Sequence, residues 1–308
     1  MEASEIEQLL SEPESERHVA AALTFDRRPC LPATVDDLDQ VAFKTEYLPR
    51  AIAPEILLEN ERPTEYQLAS LRLFDLRRRV PTHGGLLGFG KQPKDFLPGA
   101  YFQFTRYDGA DRAGRVVDHK EIGGRLREQI LQIEALLPVQ IQTSRASAHG
   151  LRHQDQPDYP LLALREFVMN ALMHRNYEET SAPVRLYWFS DRVEVLSPGG
   201  LYGHVTPQNY QVESDYRNPV VAEVLKTLGA VERFGSGIVR AQAALRTNGN
   251  PEAIFQFEPT SVLVTIRRVP HPIAAASKHL LHPADLTPTD ERLGGPSSES
   301  PLADEDEL

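Results

Sequence analysis

The sequence predicts an α+β fold in which helices cover a mixed β-sheet. Residues 160–175 repeat apolar side chains at helical spacing. The stretches 184–189 and 192–196 alternate apolar and polar residues on either side of a short turn, as do 254–257 and 262–267, so each pair predicts a β-hairpin. Because helices and hairpins follow one another within one stretch of chain, we expect them to share a core.

Bulk composition excludes several classes of protein. The chain has 308 residues, of which 41% are hydrophobic, so it predicts globular structure of about two domains. It contains no run of about 18 apolar residues, and its acidic start does not resemble a signal peptide, so we expect a cytoplasmic protein without a membrane partner. Cys30 is the only cysteine, which excludes an internal disulfide and a zinc site built on cysteine pairs.

The net charge of −11 is concentrated at the end of the chain. Residues 271–308 carry eight acidic residues against two basic ones, Lys278 and Arg292, a balance of −6. The same segment is rich in proline and serine, so it predicts a disordered acidic tail. Such a charge balance gives no support for general binding to a phosphate backbone, which needs a clustered basic face.

The first half of the chain predicts short elements. Helical spacing predicts a helix within 37–47 and another over 64–74, and 82–90 is a glycine-rich apolar segment. A strand over 101–107, a long helix over 120–137 and a strand over 139–143 complete this half, with a loop over 144–158. A second helical stretch over 220–228 and a third over 238–246 follow in the other half.

Polar residues form a stripe on the helix predicted over 160–175. Glu166, Asn170 and His174 are spaced by four and therefore lie on one helix face, beside an apolar stripe. This pattern is typical of an ordinary exposed face. It equally suits a carboxylate that orients water and an amide oxygen that holds Mg²⁺, an ion that prefers oxygen ligands shared with phosphates.

Two glycine-containing segments lie at the ends of other elements. Ser197-Pro198-Gly199-Gly200-Leu201 follows a strand, where glycine lets the backbone approach a ligand closely. Arg233-Phe234-Gly235-Ser236-Gly237-Ile238 opens a helix, whose free amides and dipole favour anions. The first segment alone is equally well explained as a plain turn, and for the second segment alone a plain turn is the better explanation.

The order of these segments resembles a known family. Residues 81–268 resemble the C-terminal part of RecG-like bacterial transcriptional regulators, which bear a GHKL-type (Bergerat-like) ATPase domain. The segments that carry the resemblance are Pro81 to Pro93, Leu164-Arg165-Glu166, Asn170-Ala171-Leu172, His174-Arg175-Asn176-Tyr177, Ser197 to Leu201, Arg217-Asn218-Pro219 and Gly235-Ser236-Gly237-Ile238. No phosphate-loop Gly-Lys-Ser/Thr motif is present, so a helicase motor is not expected.

The resemblance implies ATP and Mg²⁺ as cofactors and assigns a role to each segment. Glu166 would be the general base and Asn170 the magnesium ligand. Gly199 and Gly200 would lie beside adenine, and Gly235, Ser236 and Gly237 would lie at the phosphates. Ser197 stands where the family's aspartate binds the adenine amino group, and a neutral acceptor is about half as strong as a charged one.

The first residues carry a second resemblance. Glu5 to Arg17 is similar to the opening of the Schlafen AlbA-like domain, the DNA-binding part of such regulators, although an acidic helix explains it too. Since that domain needs over a hundred residues, most of it would be missing. The resulting domain expectation is as follows: 1–36, remnant and linker; 37–95, a helical region with a β-hairpin; 96–157, strand-helix-strand; 158–268, the GHKL-like ATP-binding domain; 269–308, the tail.

These observations lead to one expected function and two alternatives. The expected function is an ATP-binding transcriptional regulator with slow or no hydrolysis, hence at most a weak Mg-dependent ATPase, in which residues 200–218 would close as a lid. One alternative is a nucleic-acid-binding regulator on a degenerate ATPase fold, with DNA reached through the remnant N-terminal domain. The other is a protein-interaction scaffold, and a homo-oligomer suits either case.

Overall fold

The computed structural model describes residues 23–147, 153–231 and 235–269. The predicted AlbA-like opening and the acidic tail lie outside the described residues, as do Arg233 and Phe234. Within these ranges no helix combines the length and the apolar character that a bilayer crossing needs. The described chain has the predicted α+β architecture.

A six-stranded mixed sheet forms the centre of the fold, in the order β4-β3-β7-β8-β10-β9. β3 and β7 run parallel, and the other neighbours run antiparallel. The strands are β3 Phe102–Asp108, β4 Arg115–Ile122, β7 Val184–Trp188, β8 Arg192–Pro198, β9 Ile254–Glu258 and β10 Ser261–Arg267. Two small hairpins lie outside this sheet, formed by β1 Phe74–Asp75 with β2 Val80–Pro81 and by β5 Thr143–Ser147 with β6 His153–Pro157.

Helices pack against the sheet through its apolar side. Along β7, Val184, Leu186 and Trp188 are buried while the residues between them are partly exposed, which is the alternation of a sheet with one covered face. The helices that contribute to this core are α7 Leu126–Gln140, α8 Leu161–His174, α9 Pro219–Thr227 and α10 Gly237–Asn248. α10 ends at Gly249, whose φ of 84° is the left-handed conformation that glycine adopts without strain.

The region before the sheet is built from short helices around a second apolar core. Its rings meet edge-on, with Phe89 5.4 Å from Phe43 and 5.1 Å from Tyr47 between ring centroids. The helices are α1 Gln40–Ala42, α2 Leu48–Ala51, α3 Pro54–Leu58, α4 Thr64–Ser70, α5 His83–Phe89 and α6 Pro93–Phe96, and a π-helical turn, Phe43–Tyr47, joins α1 to α2.

Asp26 ties the start of the described chain to α9. Its carboxylate is fully buried and accepts hydrogen bonds from the amides of Val220 and Val221, at 2.6 and 3.1 Å. These are free amides of the first helical turn, so Asp26 acts as a remote N-cap. A contact across 194 residues of sequence therefore fixes the beginning of α9.

The prediction for residues 120–143 was wrong in its boundaries. The helix begins at Leu126 rather than at 120, because the preceding residues form the edge strand β4. Ile122 ends that strand and packs into the core, so it continued the helical apolar spacing by coincidence. The helix then runs to Gln140, and the strand predicted over 139–143 begins only at Thr143.

Two further segments differ from expectation. The loop predicted over 144–158 contains most of the hairpin β5–β6, so the 96–157 region holds four strands rather than strand-helix-strand. The glycine-rich segment 82–90 forms α5, in which Thr82 Oγ1 caps the amide of Gly85 at 3.0 Å. A Cβ on Gly84 would lie 2.7 Å from a Val220 methyl, so close packing explains glycine in this helix.

Candidate functional site

An open cleft lies between α8, the start of α10 and the β8-β10-β9 end of the sheet. Residues 200–218, the covering segment, lie over it. Its empty volume, including the mouth, is about 1170 Å³. The predicted site residues that line it are Glu166, Asn170, Ser197, Gly199, Gly200, Gly235 and Gly237. Segments predicted from separate parts of the sequence thus meet in one cleft of the kind that holds small molecules.

Glu166 lies on the second turn of α8 and is 3% exposed. Its Oε1 accepts a hydrogen bond from Nη2 of Arg240 at 3.2 Å, which forms an ion pair between α8 and α10. An ionised carboxylate at this depth needs such a partner, because burial alone disfavours its charge. Arg240 could not be named from the sequence, because it lies three residues after Gly237 and belongs to no motif.

Asn170 is one helical turn beyond Glu166 and borders the same cleft. Its side-chain amide makes no hydrogen bond with the residues that the structure describes. A half-buried amide on a cleft wall therefore has an oxygen and a nitrogen available to a ligand.

The start of α10 approaches this pair of side chains directly. A Cβ on Gly237, the first residue of α10, would lie 2.7 Å from Oε2 of Glu166 and 3.7 Å from Nδ2 of Asn170. Gly235 has a φ of 65°, which favours glycine. Ser236 precedes the helix without capping it and is the one predicted site residue that does not line the cleft.

The first glycine segment forms the opposite end of the cleft. Gly199 has a φ of 99°, and a Cβ there would lie 2.7 Å from Cβ of Asn176. A Cβ on Gly200 would meet the carbonyl oxygen of Glu258 at 2.6 Å. Both positions therefore require glycine for close backbone packing, and Gly199 also for its conformation.

Ser197 is buried on β8, and its hydroxyl donates to the carbonyl oxygen of Ala171 at 3.0 Å. This carbonyl is in the last turn of α8, where the helix supplies no partner. Since a hydroxyl has one proton, Ser197 can only accept from a cleft ligand while this bond persists.

Aromatic side chains that the sequence analysis did not assign to the site form one wall. Phe255 and Phe257 alternate along β9 toward the cleft, and Tyr210 from the covering segment lies 4.8 and 4.9 Å from their ring centroids. The alternation of β9 was visible in sequence, but which of its faces is buried depends on how β9 pairs with β10.

His174 is the last residue of α8, and it lines the cleft and contacts the covering segment. Its ring stacks on Tyr216 at 5.7 Å, and the ammonium of Lys226 lies 4.3 Å from the centre of the same tyrosine ring. Burial lowers the pKa of His174 to about 4, and the nearby charge of Arg217 contributes to this shift. His174 is therefore neutral near pH 7.

Comparison with known families identifies an ATPase-like region. Residues 181–266 match the family HATPase_c_4, described as "Putative ATP-dependent DNA helicase recG C-terminal". The match includes both glycine segments and begins after α8 has ended, so it does not include Glu166 or Asn170. An ATPase-like region suggests nucleotide binding as the coarse function of the matched residues.

A similar solved structure is that of the DIP2311 protein from Corynebacterium diphtheriae. The two chains are 24% identical with a TM-score of 0.58, and the alignment covers 77% of this chain and 46% of that one. The likeness concerns the fold, and this chain spans less than half the length of that protein. No curated protein matches the chain.

Proposed function

We propose that residues 158–268 bind ATP with Mg²⁺ in this cleft, and that the chain is a regulatory protein with slow or no ATP hydrolysis. The observation that carries the proposal is the approach of Gly237, at the start of α10, to Glu166 and Asn170. A helix N-terminus offers amides to phosphate oxygens, and α8 offers a carboxylate and an amide at the same place.

The remaining walls fit the other parts of a nucleotide. Tyr210, Phe255 and Phe257 provide ring surface, and Gly199 and Gly200 keep the backbone at the end of β8 free of side chains. A flat base gains from apolar and aromatic contact, whereas its phosphates gain from the amides around Gly237. The residues present therefore fit ATP in character.

Asn170 would hold Mg²⁺ through its amide oxygen, together with phosphate oxygens of the nucleotide. When bound, Mg²⁺ neutralises phosphate charge. Asn170 suits this role because its amide has no partner among the described residues. Glu166 would accept a proton from the attacking water.

Slow turnover follows from the state of Glu166. Its Oε1 is ion-paired with Arg240, and a proton accepted by the carboxylate would weaken that ion pair. Ser197 is also engaged, and would contribute only a neutral acceptor to the adenine amino group. Both features favour binding and signalling over rapid catalysis.

The segment 200–218 would serve as the lid. Leu201, Tyr202 and Tyr216 line the cleft from this segment, so a ligand in the cleft would contact it directly. A change in this segment on ATP binding is the step through which a transcriptional regulator, or a homo-oligomer, would sense nucleotide.

Calorimetric titration of the full chain with a non-hydrolysable ATP analogue, with and without Mg²⁺, tests the proposal. We expect saturable binding that Mg²⁺ strengthens, and a loss of the Mg²⁺ effect in Asn170→Ala. Asn60→Ala, in the turn after α3 and outside both the cleft and the covering segment, is the matched control and should behave as the parent. Absence of binding under both conditions would refute the proposed function.

A second candidate function follows from the same engaged side chains. Because Glu166 and Ser197 already have partners, the fold is also compatible with a nucleotide-independent scaffold for protein or nucleic acid. The titration separates the two candidates. A scaffold would bind no nucleotide although its thermal unfolding shows that it is folded.

A further inference from the structure

A second cavity borders the covering segment. It is bordered by the start of the described chain, the turn after α8 and the residues that precede α9, and its empty volume is about 610 Å³ including open solvent. Its polar lining comes from Thr24, Arg28, Asn176, Glu178, Arg217 and Asn218. Tyr202 borders both this cavity and the cleft.

Asn218 contributes a buried acceptor without a partner. The residue is 1% exposed, and its Nδ2 donates to the carbonyl oxygens of Met173 and Arg175 at 3.1 and 2.7 Å. An asparagine before a helix normally caps the helix amides with its Oδ1. Here Asp26 has taken those amides, so Oδ1 of Asn218 is left without a hydrogen bond.

Arg217 contributes a buried donor without a partner on the same cavity. Its Nη2 donates to the carbonyl oxygen of Gly200 at 3.1 Å, and its guanidinium lies 4.9 Å from the ring centre of Tyr202. Its Nε is buried and makes no hydrogen bond within the part of the chain that the structure describes. Two such atoms on neighbouring residues that border one cavity are unusual, because each buried group without a partner reduces stability.

The charges around the cavity favour an anion. The guanidinium groups of Arg28 and Arg217 carry two positive charges, and Glu178, which pairs with Arg28 at 2.5 Å, offsets one of them. Arg28 is also held by Leu23, whose carbonyl oxygen accepts from its Nε at 3.2 Å. A ligand here would meet a net positive wall and guanidinium donors placed for anionic oxygens.

We propose that this cavity binds hydrogen phosphate: an anionic oxygen accepts from Nε of Arg217, and the phosphate hydroxyl donates to Oδ1 of Asn218. The two unpartnered atoms need a ligand that accepts at one place and donates at the other. Orthophosphate near neutral pH keeps a proton on an oxygen, whereas sulfate has none. Selection of phosphate over sulfate is therefore the signature of this site.

Titration calorimetry on the full chain, without nucleotide and at about pH 7, tests the assignment with orthophosphate, sulfate and phenyl phosphate as ligands. We expect orthophosphate to bind at least about tenfold more tightly than sulfate, since sulfate would leave Asn218 facing an oxygen without a proton. Phenyl phosphate, whose second pKa is about 6, is mostly without a proton at this pH and should bind more weakly than orthophosphate.

Two variants and one control locate the binding. Arg217→Lys keeps the charge but removes Nε–H, and should weaken phosphate binding about tenfold or more. Arg28→Gln acts on the other wall, so it decides the question if Arg217→Lys does not fold. Asn170→Ala, in the separate cleft, should bind phosphate as the parent does.

Three results would overturn the assignment. Equal affinity for sulfate or phenyl phosphate would contradict the role of Asn218. No binding of any of the three anions would mean that the cavity holds only water. Loss of phosphate binding in Asn170→Ala but not in Arg217→Lys would place the phosphate in the cleft.

Discussion

Oε1 of Glu166 lies 3.2 Å from Nη2 of Arg240, so the carboxylate proposed as general base is ion-paired. The pair joins the middle of α8 to the first turn of α10 across the cleft. A nucleotide whose phosphates enter between these helices would meet both charges, so the pair would affect the proposed hydrolysis as well as folding stability.

The first prediction concerns turnover. Glu166→Gln keeps the size of the side chain but removes its ability to accept a proton from water. We expect ATP hydrolysis to fall by roughly 10²–10⁴-fold while nucleotide affinity stays close to that of the parent. Phosphate-release kinetics and calorimetry measure the two quantities separately.

Glu194→Gln provides the control, because Glu194 is similarly buried and pairs with Arg112 and Arg192 without lining the cleft. It should not change turnover. If Glu166→Gln hydrolyses ATP as fast as the parent, Glu166 is not the base.

The second prediction concerns the energy of the ion pair. Arg240→Gln leaves the buried carboxylate of Glu166 without its partner on α10, and we expect the free energy of unfolding to fall by about 1–2 kcal/mol, a value reduced for solvent access to Arg240. Chemical denaturation of both single variants and of the double variant gives the coupling energy. Additive effects, within about 0.5 kcal/mol, would show that the two side chains do not stabilise each other.

The third prediction concerns Asp26. Asp26→Ala removes the cap from two buried amides of α9, and we expect the free energy of unfolding to fall by about 2–3 kcal/mol. Asp36→Ala, at an exposed position near the start of the chain, is the control and should have little effect. An Asp26→Ala protein as stable as the parent would mean that α9 does not depend on this contact.

The pH dependence of the same variant gives an independent check. Burial raises the pKa of Asp26 above its usual value of 3.8, and the hydrogen bonds from Val221 and Thr24 oppose the shift only in part. The unfolded chain therefore gives up its proton more readily, so ionisation favours unfolding as the pH rises above 3.8. The stability advantage of the parent over Asp26→Ala should shrink in that direction.

The fourth prediction concerns His174. Because burial lowers its pKa from 6.5 to about 4, the unfolded chain binds a proton at a higher pH than the folded chain does. The stabilisation is complete above pH 6.5 and is lost as the pH falls toward 4. His174→Asn should therefore show a smaller loss of unfolding free energy between about pH 7 and about pH 5 than the parent.

Two other histidines provide the comparison. His83 also has its pKa lowered to about 4 by burial, so it keeps part of the pH dependence in His174→Asn. His119 is exposed on the edge strand β4, and His119→Asn is the control for introducing an asparagine. A proton NMR titration that finds His174 with a pKa near 6.5 in the folded chain would contradict the prediction.

The sequence predicted those parts of the fold that depend on local periodicity. α8 was predicted over 160–175 and spans Leu161–His174, and both hairpins of the second half were placed within a few residues. Edge strand β4 was missed because its first seven residues are all polar apart from Val116 and Val117. No alternation of apolar residues therefore marks it as a strand. Its existence depends on pairing with β3.

The candidate site also has residues that the sequence could predict and residues that it could not. Glu166, Asn170 and the glycine segments could be named from residue types and spacing, and the structure places them in one cleft. Arg240, the aromatic wall and the partner of Ser197 could not, because each depends on which elements face one another in three dimensions. The remote cap by Asp26 is the extreme case, since no local pattern links it to α9.

The parallel pairing of β3 with β7 has a practical consequence for anyone who wishes to isolate the ATPase-like region. A fragment that begins at residue 158 would lose β3 and β4. The backbone amides and carbonyls along one side of β7, which is an interior strand of the sheet, would then be exposed. Unprotected edges of this kind recruit other chains. Such a fragment should precipitate or self-associate on purification, whereas a fragment that retains residues 96–122 keeps β7 sheltered.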